Sequence, residues 1–139
     1  MIALYSNWWI QQGKEETVYP LLRELANAVL ENEPDTLMYT VHTPNYDFPT
    51  GTDIVSEPMP RPGAITFVEN YADWEAFETH VNGPIFTSFL KNNGHLFVQG
   101  EPNPDGSTKP FIQVVFMNRI TGFIREDDYL LSKGFSTPD

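Results

Sequence analysis

The order in which strand-like and helix-like segments follow one another is the feature that most restricts the fold of this chain. Four segments carry the alternating, β-branched and aromatic residues typical of strands, namely 2–11, 36–43, 64–71 and 111–118. Apolar residues at helical spacing predict one helix from Gly13 to about Glu33 and a pair of short helices between the last two strands. This βαββαβ order predicts an α+β fold of the ferredoxin-like type with an antiparallel sheet.

Capping residues predict where these helices begin and end. Asp73 is a natural N-cap for the first short helix, Gly83 ends it, and Pro84 begins the second. In the long helix Pro20 is tolerated only in the first turn, where its missing N–H is no loss. We therefore expect Thr17 to cap the main part of that helix.

Two segments fall outside this pattern, although we expect residues 1–139 to form a single domain. The proline-rich stretch 44–63 has little periodicity and predicts a long irregular loop. Compact domains rarely keep such a loop without reason, so it is a lid or a dimer contact, or else an idle surface insertion. The C-terminal extension, at about 119–139, has a mixed sequence that predicts no definite element.

The composition excludes several classes of function. The net charge is −11, from 8 Lys and Arg against 19 Asp and Glu, and no cationic cluster is present that would attract nucleic acid or an anionic membrane. The absence of cysteine excludes disulfides, thiolate catalysis and Cys-ligated zinc. Because no signal-peptide pattern or apolar run of membrane-spanning length is found, we expect a cytoplasmic protein.

The first strand is apolar on both faces, with Leu4 and Trp8 on one side and Tyr5 and Trp9 on the other. In a four-stranded ferredoxin-like sheet the helices cover one face and leave the other bare. An apolar bare face needs a partner, and a second copy of the chain is the simplest one. We therefore expect a two-fold homodimer in which the sheets pack together.

The stretch 67–90 resembles the helical motif of the antibiotic biosynthesis monooxygenase family. That motif combines a Glu, an aromatic residue, an Ala-aromatic pair, a His, a Pro and two Phe residues. The matching positions in this chain are Glu69, Tyr71, Ala76, Phe77, His80, Pro84, Phe86 and Phe89. Upstream, the Gly-Lys-Glu-Glu run at 13–16 and the Glu-Pro pair at 33–34 also fit the family.

This resemblance implies a dimeric α+β barrel with one pocket per subunit, between the helices and the sheet. It also implies a monooxygenase without flavin, haem or metal, because in the best-known enzymes of the family the substrate itself donates the electrons to molecular oxygen. We therefore expect a cofactor-independent enzyme that oxidises a small aromatic or quinone-like molecule. The alternative is a dimer that binds a small hydrophobic molecule without catalysis.

Three residues are candidates for catalysis. Asn7 lies in mid-strand, where an amide is costly unless hydrogen-bonded, so it either orients a substrate carbonyl or makes an ordinary structural hydrogen bond. His80 belongs to the motif, and a pKa of about 6.5 suits a base or proton shuttle, although a histidine here also braces folds. Trp74, on the same short helix, is either a stacking platform or a core residue.

Five further residues are candidates for lining the substrate pocket, namely Tyr39, Asn70, Tyr71, Phe86 and Phe89. Of the adjacent pair Asn70 and Tyr71, one must point towards the helices. The two phenylalanines serve either as pocket wall or as core. The three histidines and Glu69 have no recognisable ligand spacing, so no metal site is predicted.

Overall fold

A computed structural model describes residues 1–125 of the chain, and its centre is a four-stranded antiparallel sheet. The strands are β1 (Ile2–Trp9), β2 (Thr36–His42), β3 (Ala64–Tyr71) and β4 (Gln113–Met117). Their order across the sheet is β2-β3-β1-β4, so β1 pairs with β3 on one side and with β4 on the other. This arrangement confirms the predicted α+β ferredoxin-like fold. Of the predicted C-terminal extension, residues 126–139 lie outside the described part.

Three helices cover one face of the sheet. They are α1 (Glu15–Asn32), α2 (Trp74–Asn82) and α3 (Pro84–Asn93), and a single 3-10 turn follows at Gly94–Leu96. The Asp73 side chain caps α2 by accepting a hydrogen bond from the backbone N–H of Ala76 at 2.8 Å. Pro84 opens α3, where its fixed φ suits the first helical position. Both predicted helix starts are confirmed.

The predicted Thr17 cap of the long helix is wrong, although the helix follows Gly13 as expected. α1 begins at Glu15 with Lys14 as its N-cap residue, and the Lys14 carbonyl accepts the backbone N–H groups of Thr17 at 3.1 Å and Val18 at 3.0 Å. Pro20 therefore lies in the helix interior rather than in the first turn. Gly13 explains the early start, because its φ of 81° turns the chain directly from β1 into the helix.

The two faces of the sheet have different surroundings. On the helix side, Trp8 packs against Phe67 and Phe97, with ring centroids 5.3 and 5.1 Å apart, at the centre of the buried core. Because side chains alternate along a strand, Asn7 and Trp9 lie on the opposite face. We call this second face the open face, since no helix of the described chain covers it.

The loop at 44–63 returns to the sheet through a constrained turn. The Gly63 carbonyl accepts a hydrogen bond from the N–H of Ile10 at 2.8 Å, which fixes the end of the loop beside the end of β1. Gly63 has a φ of 84°, and a Cβ atom there would lie 2.9 Å from the Ile10 carbonyl oxygen. Only glycine suits this position.

The first part of the predicted last strand pairs elsewhere. The N–H of Phe111 donates to the carbonyl of Val98 at 2.8 Å, and the N–H of Val98 donates to the carbonyl of Trp9 at 2.7 Å. The segment after the 3-10 turn is thereby inserted between Trp9 and Phe111, and β4 begins only at Gln113. Within residues 1–125, no helix has both the length and the apolar character needed to cross a membrane.

Candidate functional site

A cavity of about 750 Å³ lies on the open face, between the ends of β1, β3 and β4 and the final part of the 44–63 loop. We call it the open-face cavity. Its volume falls in the usual range for small-molecule sites, about 300–1,000 Å³. The resemblance implies a pocket between the helices and the sheet, whereas this cavity is on the opposite face.

A row of three polar side chains crosses the floor of the open-face cavity. Thr66 on β3 and Gln113 on β4 are the register partners of Asn7 on β1, one on each side. The Thr66 hydroxyl donates to Oδ1 of Asn7 at 2.8 Å. In this bond the Asn7 side-chain oxygen is the acceptor. The two amide N–H groups of Asn7 have no acceptor among residues 1–125, so they can donate to a ligand.

An aromatic wall borders this polar row. The rings of Trp9 and Phe111 stack with centroids 5.5 Å apart and planes inclined by 27°. Both backbones are tied to Val98 by the hydrogen bonds given above, so the two rings belong to a fixed part of the fold. A stacked pair of this kind offers a flat apolar surface to a planar ligand.

The charge of the cavity differs from that of the chain. Arg61 on the loop is its one charged lining residue, and no Asp, Glu, Lys or His side chain lines it in the described structure. Arg61 makes no ion pair with any residue in the described range. The site therefore combines apolar walls, amide donors and one cation, which suits a planar molecule with an oxygen that carries negative charge.

A second group of polar side chains is buried on the helix side of the sheet. We call it the helix-side cluster, and its members are Glu33, Tyr39, Glu69, Tyr71 and His80. Nδ1 of His80 lies 2.9 Å from Oε1 of Glu33, the C-cap residue that follows α1. The Tyr39 hydroxyl is buried and has no hydrogen-bond partner in the described structure.

Burial controls the protonation of the helix-side cluster. It raises the pKa of Glu69 to about 7, against a lowering by the Tyr71 hydrogen bond and a further raising by the Glu33 charge. Burial also lowers the pKa of His80 below its usual 6.5, and the neighbouring Glu33 carboxylate only partly opposes this. Near neutral pH His80 is therefore an uncharged imidazole, with its Nδ1–H oriented by Glu33.

The rings around His80 leave it little access to a substrate. Its side chain is only 2% exposed, and its ring lies 5.3 Å from that of Tyr39 and 5.0 Å from that of Phe86, centroid to centroid. A smaller cavity of about 200 Å³ opens near Glu33, and its other walls include Asp35 and Asp73. Within residues 1–125 no three His, Asp or Glu side chains are placed to hold a metal ion.

The structure does not bring the three predicted catalytic residues into one site. Asn7 lines the open-face cavity, whereas His80 lies in the helix-side cluster. Trp74 is 53% exposed on α2, and its ring meets that of Phe116 edge to face at a centroid distance of 5.2 Å.

The predicted pocket-lining residues are also divided between the two faces. Tyr39 and Tyr71 belong to the helix-side cluster, and Phe86 packs against it. Phe89 is part of the apolar core. Asn70 lies on the open face, where Nδ2 contacts Sδ of Met38 at 3.8 Å.

Sequence reasoning missed the five residues that, with Asn7, define the polar row, the aromatic wall and the cation of the open-face cavity, namely Trp9, Arg61, Thr66, Phe111 and Gln113. One signal was available, because strand alternation places Trp9 on the same face as Asn7. The positions of Arg61 and Phe111 depend on long-range pairing that no local pattern contains.

The chain shares its fold and a family pattern with known proteins. A family model described as antibiotic biosynthesis monooxygenase matches residues 1–92. Among solved structures, one described as an antibiotic biosynthesis monooxygenase has a TM-score of 0.62 at 21% identity, covering 87% of this chain and 100% of its own. A candidate family member from Caulobacter crescentus has a TM-score of 0.63 at 18% identity, covering 86% and 90%.

A third structure, a candidate family member from Deinococcus radiodurans, has a TM-score of 0.59 at 16% identity, covering 91% of this chain and 99% of its own. At these identities the structures show the fold alone. No curated protein matches the chain. The resemblance seen in the stretch 67–90 is confirmed by the family model.

Proposed function

The chain belongs to the antibiotic biosynthesis monooxygenase family, and from that premise we propose that it is a monooxygenase without a cofactor whose substrate, a small aromatic or quinone-like molecule, binds in the open-face cavity. The observation that carries this proposal is the pairing of an aromatic wall with a row of amide donors. Trp9 and Phe111 supply the wall, and Asn7 and Gln113 supply the donors.

The proposed chemistry needs only the substrate and molecular oxygen. A ring CH₂ next to a phenol or carbonyl loses a proton, and the resulting carbanion gives electrons to oxygen. One oxygen atom becomes the new carbonyl, and the other leaves as water with the two hydrogens of the CH₂ group. The substrate supplies all four electrons, so the balance requires no other reductant.

The protein favours the deprotonated substrate and holds it in place. Asn7 and Gln113 supply amide N–H groups to the polar row, where the oxyanion forms, and such donors stabilise developing negative charge. Trp9 and Phe111 keep the ring flat against the cavity wall and exclude water from one of its faces. Since no Asp, Glu or His of the described chain lines the cavity, the proton leaves to solvent.

The proposal includes a homodimer. All five residues of β4 are exposed, and Val114, Val115, Phe116 and Met117 keep between 37% and 47% of their surface accessible. A strand that exposes apolar residues on both faces is unfavourable in a monomer, because exposed apolar patches are typical of interaction surfaces. A second copy packed against the open face would cover Val115 and Met117 and would close the mouth of the cavity.

A non-catalytic binding protein is the second candidate function. It is favoured by one observation, the absence of a titratable base among the described residues that line the cavity. Enzymes that remove a proton usually place a base of suitable pKa within hydrogen-bond reach. A protein that only holds an aromatic ligand has no such need.

Oxygen uptake separates the two functions. Dialysed, chelator-treated protein is offered anthrones and dihydroxynaphthalenes, and oxygen consumption is compared with the uncatalysed rate. We expect uptake that Asn7→Ala reduces about a hundredfold or more, because the loss of one oxyanion donor costs about 10²–10³ in rate. The matched control is Asn92→Ala, since Asn92 is exposed on α3. Ligand binding without uptake would instead establish the binding protein.

A further inference from the structure

The open-face cavity is an electrostatic exception within an acidic chain. The chain has 19 acidic residues in 139, so about two would be expected among fifteen lining residues, and none is present there in the described structure. Arg61, one of only 8 basic residues in the chain, is present instead. An anion is repelled by most of this protein's surface but meets a cation and no carboxylate at this cavity.

The backbone fixes where Arg61 lies. Its carbonyl accepts a hydrogen bond from the N–H of Ala64, the first residue of β3, at 3.2 Å. Two residues after Arg61, Gly63 is bonded to Ile10 at the end of β1. The Arg61 side chain therefore extends from a backbone that these two hydrogen bonds hold at the rim of the cavity, even though the side chain itself is exposed.

The positions of the three kinds of side chain define a ligand shape. In the proposed function the ring of the ligand lies against Trp9 and Phe111, which stack on each other, and its oxygen faces the amides of Asn7 and Gln113, which line the same cavity. Arg61 then faces the part of the ligand that projects towards the loop. A planar guanidinium pairs best with a carboxylate, because its N–H groups match both oxygens at once.

We propose that the open-face cavity selects an aromatic acid, in which a ring carboxylate lies beside a phenolic or carbonyl oxygen and is bound by Arg61. This inference deepens the proposed function and rests on it for the position of the ring. The carboxylate takes no part in the oxidation, so Arg61 is a residue of specificity and not of chemistry.

The test compares two probes that differ only in the carboxylate, 1-hydroxy-2-naphthoate and 1-naphthol. Their dissociation constants are measured by titration calorimetry at constant ionic strength. We expect the acid to bind about tenfold more tightly, the size of one charge-assisted hydrogen bond at a partly exposed site. Arg61→Gln removes this preference and Arg61→Lys keeps part of it. Arg23→Gln, an exposed change on α1, leaves it intact.

Each result has a distinct meaning. Equal affinities for the two probes in the unchanged protein would overturn the selection of an acid, while oxygen uptake with neutral substrates would still support the proposed function. A preference that survives in Arg61→Gln would overturn the role of Arg61. If neither probe binds, both this inference and the proposed site fail.

Discussion

The hydroxyl of Tyr71 donates a hydrogen bond to Oε2 of Glu69 across 2.5 Å, and both residues lie on the helix side of β3. This contact gives a buried carboxyl group a polar partner. The nearby Tyr39 hydroxyl is also buried but has no partner in the described structure. We therefore expect the two tyrosine hydroxyls of the cluster to contribute to stability with opposite signs.

We predict opposite effects when each of these hydroxyls is removed. Tyr71→Phe leaves the Glu69 carboxyl without its donor and lowers the free energy of unfolding by about 1–3 kcal/mol. Tyr39→Phe removes an unsatisfied polar group and is neutral or stabilising by up to about 1 kcal/mol. Urea denaturation of both variants measures the difference. A loss of equal size in both would show that Tyr39 has a partner.

The raised pKa of Glu69 makes stability depend on pH. In the fold the pKa of Glu69 is about 7, against an ordinary value of 4.5, so the folded state keeps the proton to higher pH than the unfolded chain. The free energy of unfolding should therefore fall as the pH rises from about 4.5 to about 7. Glu69→Gln removes this fall, whereas Glu75→Gln, an exposed change on α2, preserves it.

His80 acts in the opposite direction in the same experiment. Because burial lowers its pKa below 6.5, the folded state resists protonation and its contribution to stability falls as the pH drops below about 6.5. Urea denaturation at a series of pH values should therefore show stability rising with pH in Glu69→Gln. A flat profile in that variant would contradict the assigned environment of His80.

Gly63 tests whether the end of the 44–63 loop shapes the cavity. In Gly63→Ala the alanine has to keep the left-handed backbone conformation of Gly63. Its Cβ atom would lie 2.9 Å from the Ile10 carbonyl oxygen. We expect a loss of at least about 1 kcal/mol in stability, together with weaker binding of aromatic ligands. Gly51→Ala, where the added Cβ meets nothing within 4 Å, is the control. Unchanged stability in both would show that the turn can relax.

The fold was predictable because its signals are local and repeated. Asp73 and Pro84 begin their helices where capping chemistry predicts, and β3 has the predicted bounds. Pro20 was misjudged since proline preference alone cannot show how early Gly13 turns the chain. The site was less predictable, because the alignment of Asn7 with Gln113 depends on the register between β1 and a strand more than a hundred residues away.

Substituting Trp9 or Trp74 tests which face of the sheet carries the ligand site. Trp9 stacks on Phe111 in the open-face cavity, and Trp74 lies on α2 beside Phe116. If the ligand binds in the cavity, Trp9→Ala should weaken binding of a naphthol at least about fivefold, since an aromatic ring stacked on an aromatic side chain gains about 1–3 kcal/mol. Trp74→Ala should leave the affinity within about twofold.

The comparison between Trp9 and Trp74 controls for the general effects of removing an indole ring. Circular dichroism of each variant first confirms that the fold persists, and titration calorimetry then gives the dissociation constants. The reverse result, with affinity lost in Trp74→Ala and kept in Trp9→Ala, would move the site to the helix side, where Trp74 and His80 share α2. Because the two rings lie on different faces of one sheet, a single shared site cannot produce equal specific losses in both variants.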